Sequence, residues 1–188
     1  MNDRQFVIRN ILRAVIWLGI FVTAYVLIKR YVNLDYLSWL EPFFDKESLI
    51  YSIFFVSEII VGIIPPEFFM LWALRYEGLS DYVLVIFLLT TASYVAGVIG
   101  YGVGLFLNKT VFYRYVRRRF LQKMEKRLQT FGPYLIIIAA LTPIPFSGVA
   151  MLIGSVRYSF KKYLLLSLSR FLRFSVYAWI FWEAQAIS

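Results

Sequence analysis

Two long apolar segments of this chain are cut near their middles by prolines, and this limits the fold more than any other feature. Residues 49–76, LIYSIFFVSEIIVGIIPPEFFMLWALRY, are interrupted by Gly62, Pro65, Pro66 and Glu67. Residues 133–155, PYLIIIAALTPIPFSGVAMLIGS, are interrupted by Pro143 and Pro145. The first segment has sixteen residues up to Ile64, about 24 Å of helix, which falls short of a hydrocarbon core of roughly 30 Å. Each half of the second, about ten residues or roughly 15 Å long, reaches the bilayer midplane and no further. Proline removes a backbone donor and disfavours helix just before it, so both segments are expected to turn back as re-entrant hairpins. The plainer alternative, a kinked helix that crosses, is weighed by charge below.

A bilayer is the expected solvent because the chain of 188 residues is 61% hydrophobic and only 16% charged, with a mean hydropathy of +0.70. Residues 10–28, with Arg4 and Arg9 before them, Arg13 near their start and Lys29 and Arg30 after them, form a first apolar run. No A-x-A cleavage site follows, which favours a retained transmembrane helix over a signal peptide. Residues 31–48 mix aromatic and acidic positions and suit the headgroup zone. Residues 81–107 are long enough to cross unbroken, and Ala92, Ala96, Gly100 and Gly104 form a small-residue stripe suited to close helix packing. Residues 109–131 read as a basic amphipathic helix; Arg117, Arg118, Arg119 and Lys123 would meet anionic lipid sooner than nucleic acid. Residues 163–182 make a last apolar helix.

Charge counting tests this path. With two re-entrant hairpins, the inside pieces hold fourteen basic residues against Asp3 and Glu125, and the outside pieces hold four basic residues against six acidic ones. That is the asymmetry the positive-inside rule predicts. Letting only the first broken segment cross would put the cluster at 109–127 outside, and letting only the second cross would do the same to Arg157, Lys161 and Lys162. The expected fold is therefore an all-α polytopic membrane protein. It has an N-terminal part, 1–48, and a membrane domain, 49–188, with two opposed hairpins, 49–76 and 133–155, in an inverted-repeat arrangement. The N-terminus is expected in the cytoplasm and the C-terminus outside.

Four ionisable residues fall within apolar segments: Glu58, Glu67, Arg170 and Arg173. A charge at the centre of a membrane helix costs roughly 2.5–3.5 kcal/mol on insertion scales, so it faces a partner or water. Arg170 and Arg173, three apart, share a helix face. With the glutamates they can form a neutralising cluster that only holds the fold together, or they can bind a phosphate. The chain has no Cys and no His, which removes thiolate, imidazole and disulfide chemistry. No metal, cofactor or enzyme activity is expected.

Taken in order, several motifs resemble the DedA family, also called the VTT or SNARE-associated Golgi protein family. They are Glu58 ahead of Pro65-Pro66-Glu67, the glycine-rich AGVIGYGVG at 96–104, a second hairpin of the form L-T-P-x-P-F ending in a glycine, from Leu141 to Gly154, and the basic-aromatic turn from Tyr158 to Tyr163. The resemblance covers about residues 45–182. It implies a scramblase or flippase of phospholipid or polyprenyl-phosphate lipids in the bacterial cytoplasmic membrane. Many bacterial members carry arginines at positions matching Ala140 and Phe146, which this chain lacks. The expected partners are lipids with anionic or phosphate-bearing headgroups, with protons and a second copy of the chain as further candidates and no nucleic acid. A proton- or ion-coupled small-solute transporter and a non-transporting scaffold are the competing expectations.

Overall fold

The computed structural model describes residues 45–60, 62–109, 122–142 and 145–187, together with Ile16 and Thr23. The expected first helix at 10–28 apart from Ile16 and Thr23, most of the 31–48 segment, Pro143 and the cations Arg117, Arg118 and Arg119 lie outside the described residues, and Lys123 enters only through its backbone. The described elements are helices α1 (Glu47–Ile59) and α2 (Pro66–Trp72), which runs into a 3₁₀ turn (Ala73–Arg75), then α3 (Leu79–Leu107), α4 (Gln122–Leu141), α5 (Phe146–Ser155), α6 (Phe160–Ser167) and α7 (Ser169–Ile187). There is no strand among the described residues. Among the described residues, two helices are long and apolar enough to cross a membrane: α3, and the nearly continuous α6–α7 from Phe160 to Gln185.

The first proline-broken segment doubles back. Helix α1 ends at Ile59, and the Gly62 N–H closes the turn onto the Ser57 carbonyl at 2.7 Å. Gly62 has φ +64°, a left-handed conformation that a side chain would strain. The Ser57 hydroxyl accepts the Ile64 N–H at 2.8 Å, so a side chain satisfies a donor the turn would otherwise orphan. Pro66 then opens α2, where its missing N–H is no loss. The returning arm pairs antiparallel with the first. Ring centroids of Phe54 and Phe69 are 4.9 Å apart and those of Tyr51 and Trp72 6.0 Å apart. At the base, the Tyr76 hydroxyl donates to Glu47 at 2.5 Å and Arg75 pairs with Asp45 at 2.6 Å.

The second broken segment does the same with different parts. The boundary expected between 131 and 133 is absent, because α4 runs through Pro133 to Leu141. A proline inside a helix loses one backbone bond and bends the helix without having to end it. Helix α5 starts at Phe146, after Pro145, and ends beside the start of the segment, where the Gly132 backbone lies against Tyr158 and Ile153.

The two fold-backs occupy opposite ends of α3. One apolar cluster joins α1, α2, the first part of α3 and the last part of α7, including Phe54, Phe69, Tyr82, Leu89, Phe174 and Phe181. The other joins Tyr101 of α3 to α4, α5 and α6 through Ile136, Phe146, Ile153 and Tyr163. The most extensive helix contact is between α3 and α5, and backbone shape makes it possible. A Cβ on Gly104 would overlap the Met151 carbonyl, and one on Gly154 would overlap the Tyr101 carbonyl. Ala96, Gly100 and Gly104 are buried along this seam, and Ala92 is half-buried. Gly97, which sequence reasoning did not single out, admits the Phe146 ring and the Tyr163 hydroxyl.

Candidate functional site

Between the two apolar clusters lies a layer of buried polar side chains: Ser57, Glu58, Glu67, Ser93, Thr142, Ser147, Arg170 and Arg173. Ser93 is the fifteenth of the twenty-nine residues of α3, so the layer sits about 21 Å from either end of that helix. Each fold-back brings its tip to this level. Helix α1 ends there with Glu58, α2 begins there with Glu67, α4 ends there before Thr142, and α5 begins there with Ser147.

The four ionisable residues expected from the sequence come together as two ion pairs. Arg170 Nη2 lies 2.8 Å from Glu58 Oε2, and Arg173 Nη2 bonds Glu67 Oε1. All four are at most 5% exposed. Their spacing explains the scheme: Arg170 and Arg173 lie one helical turn apart on α7 and face the two arms of the first fold-back. Removing two full charges from water costs several kcal/mol per ion, so the remaining polar atoms need partners too. Ser93 donates its hydroxyl to Glu58 Oε2 at 2.6 Å while its carbonyl accepts from Arg170 Nη1 at 2.9 Å. Arg173 Nη1 donates to the Thr142 carbonyl at 2.7 Å. The Arg170 guanidinium lies 4.4 Å over the Phe146 ring and that of Arg173 lies 5.2 Å over Tyr177, so each cation also rests on an aromatic face.

The same contacts tie the fold-backs to each other. Free carbonyls at the end of α1 need donors, and the Ser147 hydroxyl at the start of α5 donates to the Glu58 carbonyl. Arg173 serves the Thr142 carbonyl just beyond α4 in the same way. Among the described residues, three buried side-chain atoms have no hydrogen-bond partner: Glu67 Oε2, Arg170 Nε and the Tyr163 hydroxyl. Gly62 and Pro65 flank the layer at the first turn, and Pro145 does so at the second.

A family model for the VTT domain matches residues 64–183, well over half of the chain. The chain belongs to the VTT domain family, the DedA and SNARE-associated Golgi proteins. It is accordingly a membrane protein. No curated protein and no solved structure matches it. The VTT match opens at the first turn and closes within α7, so Glu67, Arg170 and Arg173 lie inside it and Glu58 six residues ahead of it. Ser93, Thr142, Phe146 and Ser147 belong to this VTT layer and were not read as site residues from the sequence. The signal at Ser93, Thr142 and Ser147 was a hydroxyl side chain set among apolar ones, whereas Phe146 stood in the sequence only as the end of the turn motif and a position where many bacterial members carry arginine. The Ala140 side chain is fully buried, and Phe146 carries the Arg170 guanidinium on its ring.

Proposed function

We propose that this VTT-domain protein moves phosphate-bearing lipids between the leaflets of a bilayer. On this reading the α1–α2 and α4–α5 fold-backs are re-entrant hairpins from opposite faces, related as an inverted repeat, and the polar layer lies at the bilayer midplane. On the same reading the N-terminus lies in the cytoplasm and the C-terminus outside, which the excess of positive charge on one side supports. The observation that carries the proposal is the paired layer itself, with two arginines and two glutamates where both tips meet α3 and α7. Intramembrane charge is costly, and it marks substrate pathways more often than it serves packing alone.

The pairs are closed, and this shapes the mechanism. A guanidinium fork fits a phosphate as well as it fits a carboxylate. A lipid phosphate entering between the hairpins would take the place of a glutamate on Arg170 or Arg173, and protonation of the displaced glutamate would stabilise the open arrangement. Arg170 lies over Phe146, one of the two positions where many bacterial relatives carry an arginine. This supports α7 as the source of charge in the present chain.

Reconstituted protein should move fluorescent phospholipid between liposome leaflets. The paired variant Glu67→Gln with Arg173→Gln, which leaves no lone buried charge, should stay folded and lose most of that movement. Folded wild-type protein that moved no more lipid than empty liposomes would overturn the proposal.

A further inference from the structure

At the end of the molecule formed by the base of the second fold-back, four exposed cations gather, with no carboxylate beside them among the described residues. Lys109 follows α3, Arg157 follows α5, and Lys161 and Lys162 lie in the first turn of α6. The Asn108 side chain donates to the Ser155 carbonyl, which brings the ends of α3 and α5 together and gathers these residues at one rim. The described acidic residues, Asp45, Glu47, Glu58, Glu67, Glu77, Asp81 and Glu183, belong to the polar layer or to the opposite end. Exposed Phe106, Leu107 and Phe160 border the rim, so the cations sit where an apolar surface meets water.

Two of these placements run against local preference. Helix α5 closes with the Arg157 N–H on the Gly154 carbonyl at 2.9 Å and the Tyr158 N–H on the Ile153 carbonyl at 3.2 Å. That is a Schellman cap, whose left-handed position is usually glycine. Here it is Arg157, with φ +54°. Lys161 and Lys162 lie in the first turn of α6, where the positive end of the helix dipole disfavours cations. Neither choice helps the fold, and both place positive charge on the same rim.

We infer that Lys109, Arg157, Lys161 and Lys162 form a docking surface for the phosphate headgroups of an anionic leaflet. The complementarity is direct: cations that have no ion-pair partner among the described residues meet phosphodiester anions at headgroup depth, with Phe106 and Phe160 among the acyl chains. The surface is separate from the buried layer and does not depend on lipid translocation. It would anchor the second fold-back to its leaflet.

The test uses the full chain in an uncharged detergent, with melting temperature followed as phosphatidylglycerol, phosphatidylcholine or inorganic phosphate is added. Phosphatidylglycerol should raise the Tm, while phosphatidylcholine and phosphate should not. Arg157→Gly should melt no lower than wild type without lipid, because glycine relieves the left-handed cap. It should nevertheless bind phosphatidylglycerol about fivefold more weakly, as should Lys161→Gln and Lys162→Gln singly. Lys46→Gln, at the opposite end, should bind it as wild type does. Unchanged phosphatidylglycerol affinity in the rim variants, an equal shift with phosphatidylcholine, or a full shift with phosphate alone would each overturn the inference. So would a lower lipid-free Tm for Arg157→Gly, since Arg157 would then serve the fold.

Discussion

Arg170 and Glu58 lie 112 residues apart in the chain and 2.8 Å apart in space, and their pair locks the last helix to the first fold-back. Removing one member leaves the other as a lone buried charge. Glu58→Gln or Arg170→Gln alone should therefore cost about 3–5 kcal/mol of stability. The double variant should cost less than the sum of the two, with a coupling of roughly 0.5–3 kcal/mol. Melting of the four proteins of the cycle in detergent checks this. Strict additivity would mean that the pair is open in solution.

The seam between α3 and α5 makes an equally local prediction. At Gly104 and Gly154 the atoms a methyl group would meet are main-chain carbonyls, which cannot swing aside. Gly104→Ala and Gly154→Ala should each destabilise by at least about 1–3 kcal/mol. At Gly102, on the exposed side of the same helix, a Cβ meets nothing within 4 Å. There alanine should stabilise by up to about 1 kcal/mol through helix propensity. Thermal melts of the three variants decide whether the seam is as tight as drawn.

Much of this arrangement could be read from the sequence, for physical reasons that also explain what was missed. Uninterrupted apolar length marks α3, and Gly62, Pro65 and Pro66 mark the first turn because few other residues suit that backbone. The four charges stood out because their neighbours are apolar. Ser93 did not stand out, since a hydroxyl in an apolar helix commonly bonds within its own turn. Thr90 does so to the Ile86 carbonyl at 2.7 Å and Thr91 to the Phe87 carbonyl at 2.8 Å. That Ser93 reaches Glu58 instead follows from the rotation of α3 against α1, which periodicity alone does not set. Pro133 misled for a related reason: proline is favoured in the first turn of a helix and reads as a start, yet α4 is already under way when it arrives.

The base of the first fold-back should be sensitive to alkali. Burial, and then the hydrogen bond to Glu47, push the Tyr76 phenol up to about 12 from its ordinary 10.0. A pKa raised on folding means the protonated phenol is favoured in the native state. The resulting stabilisation is present below pH 10 and is lost as the pH rises from 10 towards 12. Tyr76→Phe should melt lower than wild type at pH 8, and the gap should narrow across that window. A constant gap would show that the hydroxyl does not hold this base.

The membrane path can be decided with four single cysteines, because the chain has none of its own. Lys46 and Glu77 are exposed at the base of the first fold-back, beside the Asp45–Arg75 and Glu47–Tyr76 contacts. Lys109 and Lys161 are exposed at the end of the molecule where Asn108 meets Ser155. If both broken segments are re-entrant, Lys46→Cys and Glu77→Cys react with a membrane-impermeant maleimide from one face of oriented vesicles. Lys109→Cys and Lys161→Cys then react from the other. A crossing first segment would split the first pair between the faces, and a crossing second segment would split the second pair. Each fold-back is thus tested by its own two residues, so one can fail while the other stands.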